Sequence, residues 1–85
     1  MLNPGSFARV TSRLGLAPAY SEPTRQIEPV TTLGQSDAGM VLATKVVAEH
    51  DDELGYVVGV QFCLLWVPRL EKMLWITDFW LEEVP

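Results

Sequence analysis

The stretch Tyr56–Leu81, YVVGVQFCLLWVPRLEKMLWITDFWL, decides the fold class because it holds six of the eight aromatic residues of the chain. Its first twelve residues, up to Val67, are rich in β-branched and aromatic side chains, which favour strands. Their even positions are bulky and their odd positions are smaller and mixed, which is the two-residue period of a strand. A membrane-spanning helix needs about 20 apolar residues, and this run ends at Pro68, so no membrane segment is predicted.

The segments on either side of this strand predict an antiparallel sheet. Met40–Glu49 reads as a second strand, and His50–Gly55 supplies the turn formers of a hairpin loop. Pro68–Lys72 reads as a connection, and Met73–Glu82 as the last strand. A helix over Glu71–Glu83 is the rival interpretation of the last segment, but its dense aromatic and β-branched residues favour the strand.

The first third of the chain predicts little regular structure. Residues 1–36 contain four prolines, which fix φ and remove amide donors. One short strand is expected at Phe7–Thr11, followed by a long irregular connection from Leu14 to Gly34. We therefore expect an extended arm over residues 1–36 and an antiparallel β domain over residues 37–85. Within the arm, the segment from Leu14 to Gly34 should be ordered only by neighbouring subunits, so its amides, Tyr20 and Gln26 among them, should exchange rapidly in the isolated chain. Met1–Ser12 lacks the apolar run of a secretory signal.

Charge and size restrict the classes of function. Residues 37–85 carry three cations against nine acids, a charge of −6, and residues 1–36 contribute +1, so the net charge is −5. Such a surface repels a phosphate backbone, so nucleic-acid binding is not expected. A domain of 85 residues buries only roughly 60–65% of its unfolded surface, so contacts with other subunits would add to its stability. Cys63 has no partner for a disulfide, which fits a reducing compartment.

The residues that could carry chemistry are more simply explained as structural. His50 lies beside Asp51 and Asp52, but in a predicted hairpin loop where solvated charges are normal. Cys63 lies in an apolar strand without a cation that would lower its pKa, which indicates an inert packing thiol. No serine has a nucleophile-elbow context, and no glycine cluster forms a phosphate loop. We therefore predict no enzyme activity, no cofactor and no metal site.

The tryptophans predict a protein-binding surface. Trp75 and Trp80 are five positions apart, so on a single strand they would point to opposite faces and could not both enter one core. Large exposed aromatics flanked by acids are typical anchors of protein interfaces. The candidate partner-binding residues are these two tryptophans, the other aromatics near them and the N-terminal cations: Trp75, Trp80, Trp66, Phe79, Tyr20, Arg9, Arg13 and Arg25.

Four segments together resemble an SH3-like small β-barrel of the kind found in KOW-type modules and in small proteins of tailed bacteriophages. They are Pro4–Val10, a Pro-Gly turn followed by a strand; Ala38–Leu42, a glycine within an apolar strand; Tyr56–Phe62; and the closing Trp75–Val84. The resemblance implies an all-β fold, either a small SH3-like barrel or an antiparallel β-meander with a long N-terminal arm. It also implies a virion location, after assembly in the host cytoplasm.

The leading functional hypothesis is a non-enzymatic structural subunit of a larger particle, a phage virion accessory protein of the cement or head–tail joining type. Its partners would be other protein subunits, including copies of itself, and outside a virion it would be cytoplasmic. The alternative is a small acidic inhibitor or adaptor that binds a basic protein surface. Nucleic-acid binding through Arg9, Arg13 and Arg25 ranks last, because acids outnumber cations over the chain.

Overall fold

The computed structural model describes residues 2–11 and 15–85, and it is an antiparallel β structure with almost no helix. The all-β prediction is therefore confirmed. The elements in chain order are β1 (Phe7–Val10), β2 (Ala17–Ala19), β3 (Thr31–Leu33), β4 (Ala38–Asp51), β5 (Tyr56–Val67), β6 (Lys72–Thr77), a 3₁₀ turn (Asp78–Trp80) and β7 (Leu81–Val84).

Five strands form the main sheet in the order β6-β5-β4-β1-β7, and β2 and β3 pair in a second, two-stranded sheet. Neighbouring strands of both sheets run antiparallel. The main sheet does not close on itself, since β6 and β7 are its two edges. The first and last strands of the chain, β1 and β7, lie side by side, so residues from both ends are needed to complete the sheet.

The β4–β5 hairpin is the longest feature of the sheet, with pairing from Met40 and Trp66 out to Asp51 and Tyr56. Its turn follows from local chemistry. Asp51 Oδ1 accepts hydrogen bonds from the amides of Glu53 and Leu54, each at 2.9 Å, and Gly55 takes a positive φ of 76°, which costs a glycine little. The register shifts between Val41 and Ala43, so one extra residue bends β4 where the hairpin leaves the sheet.

The core lies on the face of the sheet that carries the small residues of β1 and the odd positions of β5. Ala8 and Val10 are fully buried there, and Cys63, Leu65 and Val67 join them. The even positions of β5, although bulkier, lie on the opposite face, because residues alternate along a strand. Phe62 is the fully buried residue of that face, and the edge of its ring meets Tyr20, with 6.4 Å between ring centroids.

The expected single strand over Met73–Glu82 is wrong in detail, and so is the rival helix. Asp78–Trp80 forms a 3₁₀ turn that ends β6 and starts β7. Because β6 pairs with β5 and β7 pairs with β1, this turn lets the chain cross from one edge of the main sheet to the other. A continuous strand could not reach both partners.

The expected irregular connection from Leu14 to Gly34 contains the β2–β3 hairpin. Tyr20 then joins the edge of β6 through two backbone hydrogen bonds of 2.8 Å with Trp75. Residues of the first third also pack in the core. The hydrophobic cluster therefore has members on both sides of the domain boundary predicted after residue 36. The cluster members before that boundary are Leu2, Ala8, Val10, Ala17, Ala19 and Leu33.

An ion pair between the buried Asp37 and the half-exposed Arg69 joins the loop before β4 to the turn after β5. Asp37 is buried, and its carboxylate accepts two hydrogen bonds from the half-exposed Arg69 guanidinium, at 2.6 and 3.0 Å. The Arg69 hydrogen bond lowers the pKa of Asp37, against the opposing effect of burial, and the Gly34 amide, which donates at 3.0 Å, lowers it further. The charged pair therefore fixes the start of β4 against the β5–β6 turn.

Candidate functional site

One line of apolar side chains, all exposed except the half-buried Val84, crosses the whole main sheet. Val84, Phe7, Met40, Trp66 and Met73 are successive cross-strand partners on β7, β1, β4, β5 and β6. Directly opposed residues of antiparallel strands project from the same face, so the five form a continuous band, here called the apolar row. The exposed fraction is 52% for Phe7, 37% for Met40, 38% for Trp66 and 57% for Met73.

A second line of apolar side chains supports the apolar row from one side. Leu64 and Trp75 lie opposite each other, two residues along from Trp66 and Met73, and therefore on the same face. Both are half-buried, and buried Tyr20 is bridged to Trp75 beyond them. The apolar surface of the row therefore continues on one side into half-buried side chains.

A shallow hollow of about 380 Å³ lies at the β6 end of the apolar row. Trp66 and Met73 line it, and Val30 reaches it from the loop before β3 with more than half of its surface exposed. Lys72 and Glu71 stand among its other lining residues. The hollow extends the apolar surface of the row and could receive an apolar side chain of a docking protein.

Charged groups border the other side of the apolar row. Arg9 lies two residues from Phe7 on the same face, and its guanidinium donates to Glu82 at 2.7 Å. An apolar centre with a polar rim is the arrangement of protein interfaces.

The predicted aromatic anchors fall into different environments. Trp66 lies in the apolar row, and Trp75 lies beside it on the same face. Trp80 belongs to the 3₁₀ turn and packs against the core, so the argument that placed it on one strand with Trp75 is wrong. Phe79 is 67% exposed and makes an edge contact with Trp80, with 5.7 Å between ring centroids. Tyr20 is buried rather than offered to a partner.

The predicted N-terminal cations have acidic neighbours within the chain. Arg9 pairs with Glu82, and Arg25 pairs with Glu49 through a 2.7 Å contact between Nε and Oε2. The structure therefore does not gather Arg9 and Arg25 into a free basic patch. Arg13 lies outside the described residues.

The candidate chemical groups lie apart from the apolar row. His50 Nδ1 is 3.0 Å from Asp52 Oδ1, and both side chains are largely exposed at the hairpin turn. Cys63 is buried, and burial, with a smaller effect of the Asp78 charge, raises its pKa to about 11, which keeps it a thiol at neutral pH. Among residues 2–11 and 15–85, no group of three or more metal-ligating side chains comes together. Within the same residues, no helix has the length and apolar character to cross a bilayer.

The sequence analysis did not select four members of the apolar row: Phe7, Met40, Met73 and Val84. The alternation around Phe7 was visible, but it does not say which set faces the core. The structure buries the small Ala8 and exposes the large Phe7, the reverse of the usual preference for large apolar side chains inside. Because this inversion depends on the tertiary structure, the alternation in the sequence could not have revealed the surface.

Comparisons with known proteins find no matching family model, no similar curated protein and no similar solved structure.

Proposed function

We propose that this chain is a non-enzymatic structural subunit of a larger protein particle, and that it docks onto another subunit through the apolar row. The observation that supports this function is the alignment of exposed apolar side chains on β1, β4, β5 and β6, from Phe7 to Met73, with the half-buried Val84 beside them on β7. Contiguous exposed apolar surface with a polar rim is typical of interaction sites.

We further propose that the all-β fold is, more specifically, an SH3-like barrel. Five antiparallel strands with β1 beside β7, and a tight 3₁₀ turn before β7, support it. The β2–β3 hairpin then covers the core as part of the long connection between β1 and β4. The particle type, a tailed-phage virion with this chain as an accessory, cement or head–tail joining protein, rests on the resemblance of the sequence alone.

Photo-cross-linking tests the docking surface in the cells where the particle forms. A benzophenone side chain would replace the phenyl ring of Phe7, which belongs to the apolar row, or that of Phe79, which is at least as exposed but lies in the 3₁₀ turn. We expect the Phe7 position to cross-link to one defined protein and to co-sediment with a large particle. Cross-links from Phe79 with none from Phe7, or a chain that stays in the slowly sedimenting fractions, would refute the proposal.

A second candidate function is a small acidic adaptor that binds a basic protein surface. It is favoured by the pairing of Arg9, Arg25 and Arg69 with acids of the same chain, which leaves mainly carboxylates as free surface charge. Salt separates the two functions. Between about 0.05 and about 0.5 M salt an adaptor held by charge should lose most of its affinity, whereas an apolar docking contact should change little.

A further inference from the structure

A cavity of about 390 Å³ lies where three separate parts of the chain meet: the segment after β2, the outer half of β5 and the 3₁₀ turn. Its volume falls within the range of about 300–1,000 Å³ that is typical of small-molecule sites. The five members of the apolar row lie outside its lining, so the cavity is a separate site. Among its lining residues are Tyr20, Arg25, Gln61, Asp78, Phe79 and Trp80.

Aromatic rings supply the apolar part of this lining. Phe79 is largely exposed, and Trp80 beside it is half-buried. The planes of the two rings meet at 86° in an edge contact, so the rings are not stacked face to face. An exposed ring face carries partial negative charge, which attracts the slightly positive hydrogens of a C–H group. The rings therefore offer a flat surface to a ligand that has C–H groups on one side.

Tyr20 gives the cavity a hydrogen-bonding group that the chain itself does not use. Only 7% of its surface is exposed, yet its hydroxyl has no hydrogen-bond partner among residues 2–11 and 15–85. No fully buried polar side-chain atom of those residues lacks a partner. The hydroxyl is therefore in reach of solvent, and the cavity is where Tyr20 meets it. Since a buried tyrosine hydroxyl usually has a partner, a polar group of a ligand fits here.

Three other groups of the lining have hydrogen-bonding capacity to spare. The Asp78 carboxylate and the Gln61 carboxamide make no side-chain hydrogen bond or ion pair within the described part of the chain. The Arg25 side chain contacts Glu49 through Nε alone, which leaves the donors of its two Nη groups. The carboxylate accepts, the guanidinium donates and the carboxamide does both.

This mixture of donors and acceptors restricts the charge of the ligand. An anion would meet Asp78, and Glu49 already supplies a carboxylate to Arg25. A cation would leave the donors of Arg25 and Gln61 without acceptors, because ammonium and guanidinium groups have none. A purely apolar ligand would cover all of these groups without pairing them, which is costly. A neutral ligand whose groups both donate and accept satisfies the whole set.

We propose that this cavity binds a neutral carbohydrate, with one sugar ring against Phe79 and its hydroxyls bonded to Tyr20, Gln61 and Asp78. A sugar hydroxyl, like that of serine, has one donor and two acceptor sites, so it pairs with a carboxylate, an amide or a phenol. The C–H groups on the flat side of the ring meet the aromatic face. Because Asp78 and Phe79 are exposed, a sugar within a longer glycan can enter. This site goes beyond the docking function and does not depend on it.

The full chain is tested first on an array of neutral oligosaccharides, and the strongest binder is then titrated by NMR. We expect a Kd of about 1 mM or lower, with shifts of the backbone amides of residues 59–61 and 78–80 and none at the apolar row. An array without a binder, or a titration to about 10 mM that shifts none of these amides, would overturn the proposal.

Paired variants test the two kinds of contact. Tyr20→Phe removes only the hydroxyl and should weaken saccharide binding about fivefold, whereas Tyr56→Phe, at an exposed tyrosine outside the lining, should leave it unchanged. Phe79→Ala should weaken binding about tenfold through loss of the ring face, and Phe7→Ala, in the apolar row, should not. Circular dichroism checks that each variant folds. Equal affinities for all four variants would place the saccharide elsewhere and overturn the proposal.

A charge-neutral substitution separates a sugar from a basic peptide. Asp78→Asn keeps an acceptor oxygen and removes the charge, so saccharide binding should fall less than about fivefold. Arginine-containing peptides titrated in parallel test the cationic alternative. If they shift residues 78–80, lose that effect in Asp78→Asn and no saccharide does the same, the site is cationic and the proposal is overturned. The docking proposal would still stand, because cross-links at Phe7 test it independently.

Discussion

Gly39 lies at the closest approach between β4 and β5, and Gly39→Ala should therefore be strongly destabilising. A Cβ on Gly39 would overlap the carbonyl oxygen of Trp66 and lie 2.8 Å from its carbonyl carbon, with the Leu65 Cγ at 3.3 Å. The first two atoms belong to the backbone, so no side-chain rotation relieves the clash. The two strands would have to separate at the pair formed by Met40 and Trp66, which is the centre of the apolar row.

The magnitude follows from what this separation removes. Overpacking a fully occupied site costs about 1–3 kcal/mol, and losing one or two ladder hydrogen bonds adds about 1 kcal/mol for each. We expect Gly39→Ala to lower the free energy of unfolding by about 3–4 kcal/mol, a large part of the roughly 5–15 kcal/mol typical of a folded domain.

Gly59→Ala is the matched control, because Gly59 also lies in a strand of the same hairpin. Its added Cβ would meet the Val46 Cγ1 at 3.4 Å, an ordinary contact. We expect a change within about 1 kcal/mol, with stabilisation favoured because alanine restricts the unfolded chain. Urea unfolding followed by tryptophan fluorescence measures both variants. If Gly39→Ala costs less than about 1 kcal/mol, or no more than Gly59→Ala, the close approach at Trp66 is wrong.

Three further predictions concern the ion pair, the first third of the chain and the thiol. The lowered pKa of Asp37 means that its charged pair with Arg69 stabilises the fold above the ordinary carboxyl pKa and is lost as the pH falls through the lower folded value. Asp37→Asn should cost about 1 kcal/mol at pH 7 in chemical unfolding, a modest value because Arg69 is half exposed, and should flatten the loss of stability below about pH 4. If the stability of Asp37→Asn falls at low pH as steeply as that of the unmodified chain, this reasoning is contradicted. In hydrogen exchange of the isolated chain, the Tyr20 amide should be protected because it is bonded to the Trp75 carbonyl, although the sequence alone predicted rapid exchange there. The Gln26 amide is bonded only to a side-chain hydroxyl and should exchange rapidly. Rapid exchange at Tyr20 would instead support the interpretation that neighbouring subunits order this segment. The Cys63 thiol should resist a thiol reagent at pH 8 until urea unfolds the chain, and prompt labelling of the native protein would show that the core opens readily.

The elements that depend on neighbouring residues in the chain could be predicted from the sequence. The β-branched and aromatic composition of Tyr56–Val67 is sufficient for a strand, and the turn chemistry of Asp51 and Gly55 is sufficient for a hairpin. These signals depend on neighbouring residues in the chain, so an all-β fold could be read from them. The exposure expected of His50 is also observed, although His50 lies near the end of β4, paired with Val57, and not in the turn itself.

Only the tertiary structure decided which face of each strand is buried and which residues meet across the sheet. Alternation gives a strand two faces but does not rank them, and here the small Ala8 is buried while Phe7 is exposed. The 3₁₀ turn at Asp78–Trp80 could not be predicted from local preferences either. It lies where the chain passes from β6, which pairs with β5, to β7, which pairs with β1. The apolar row is brought together only by the register of the paired strands. Its five members are distant in sequence and become neighbours only when all five strands have paired.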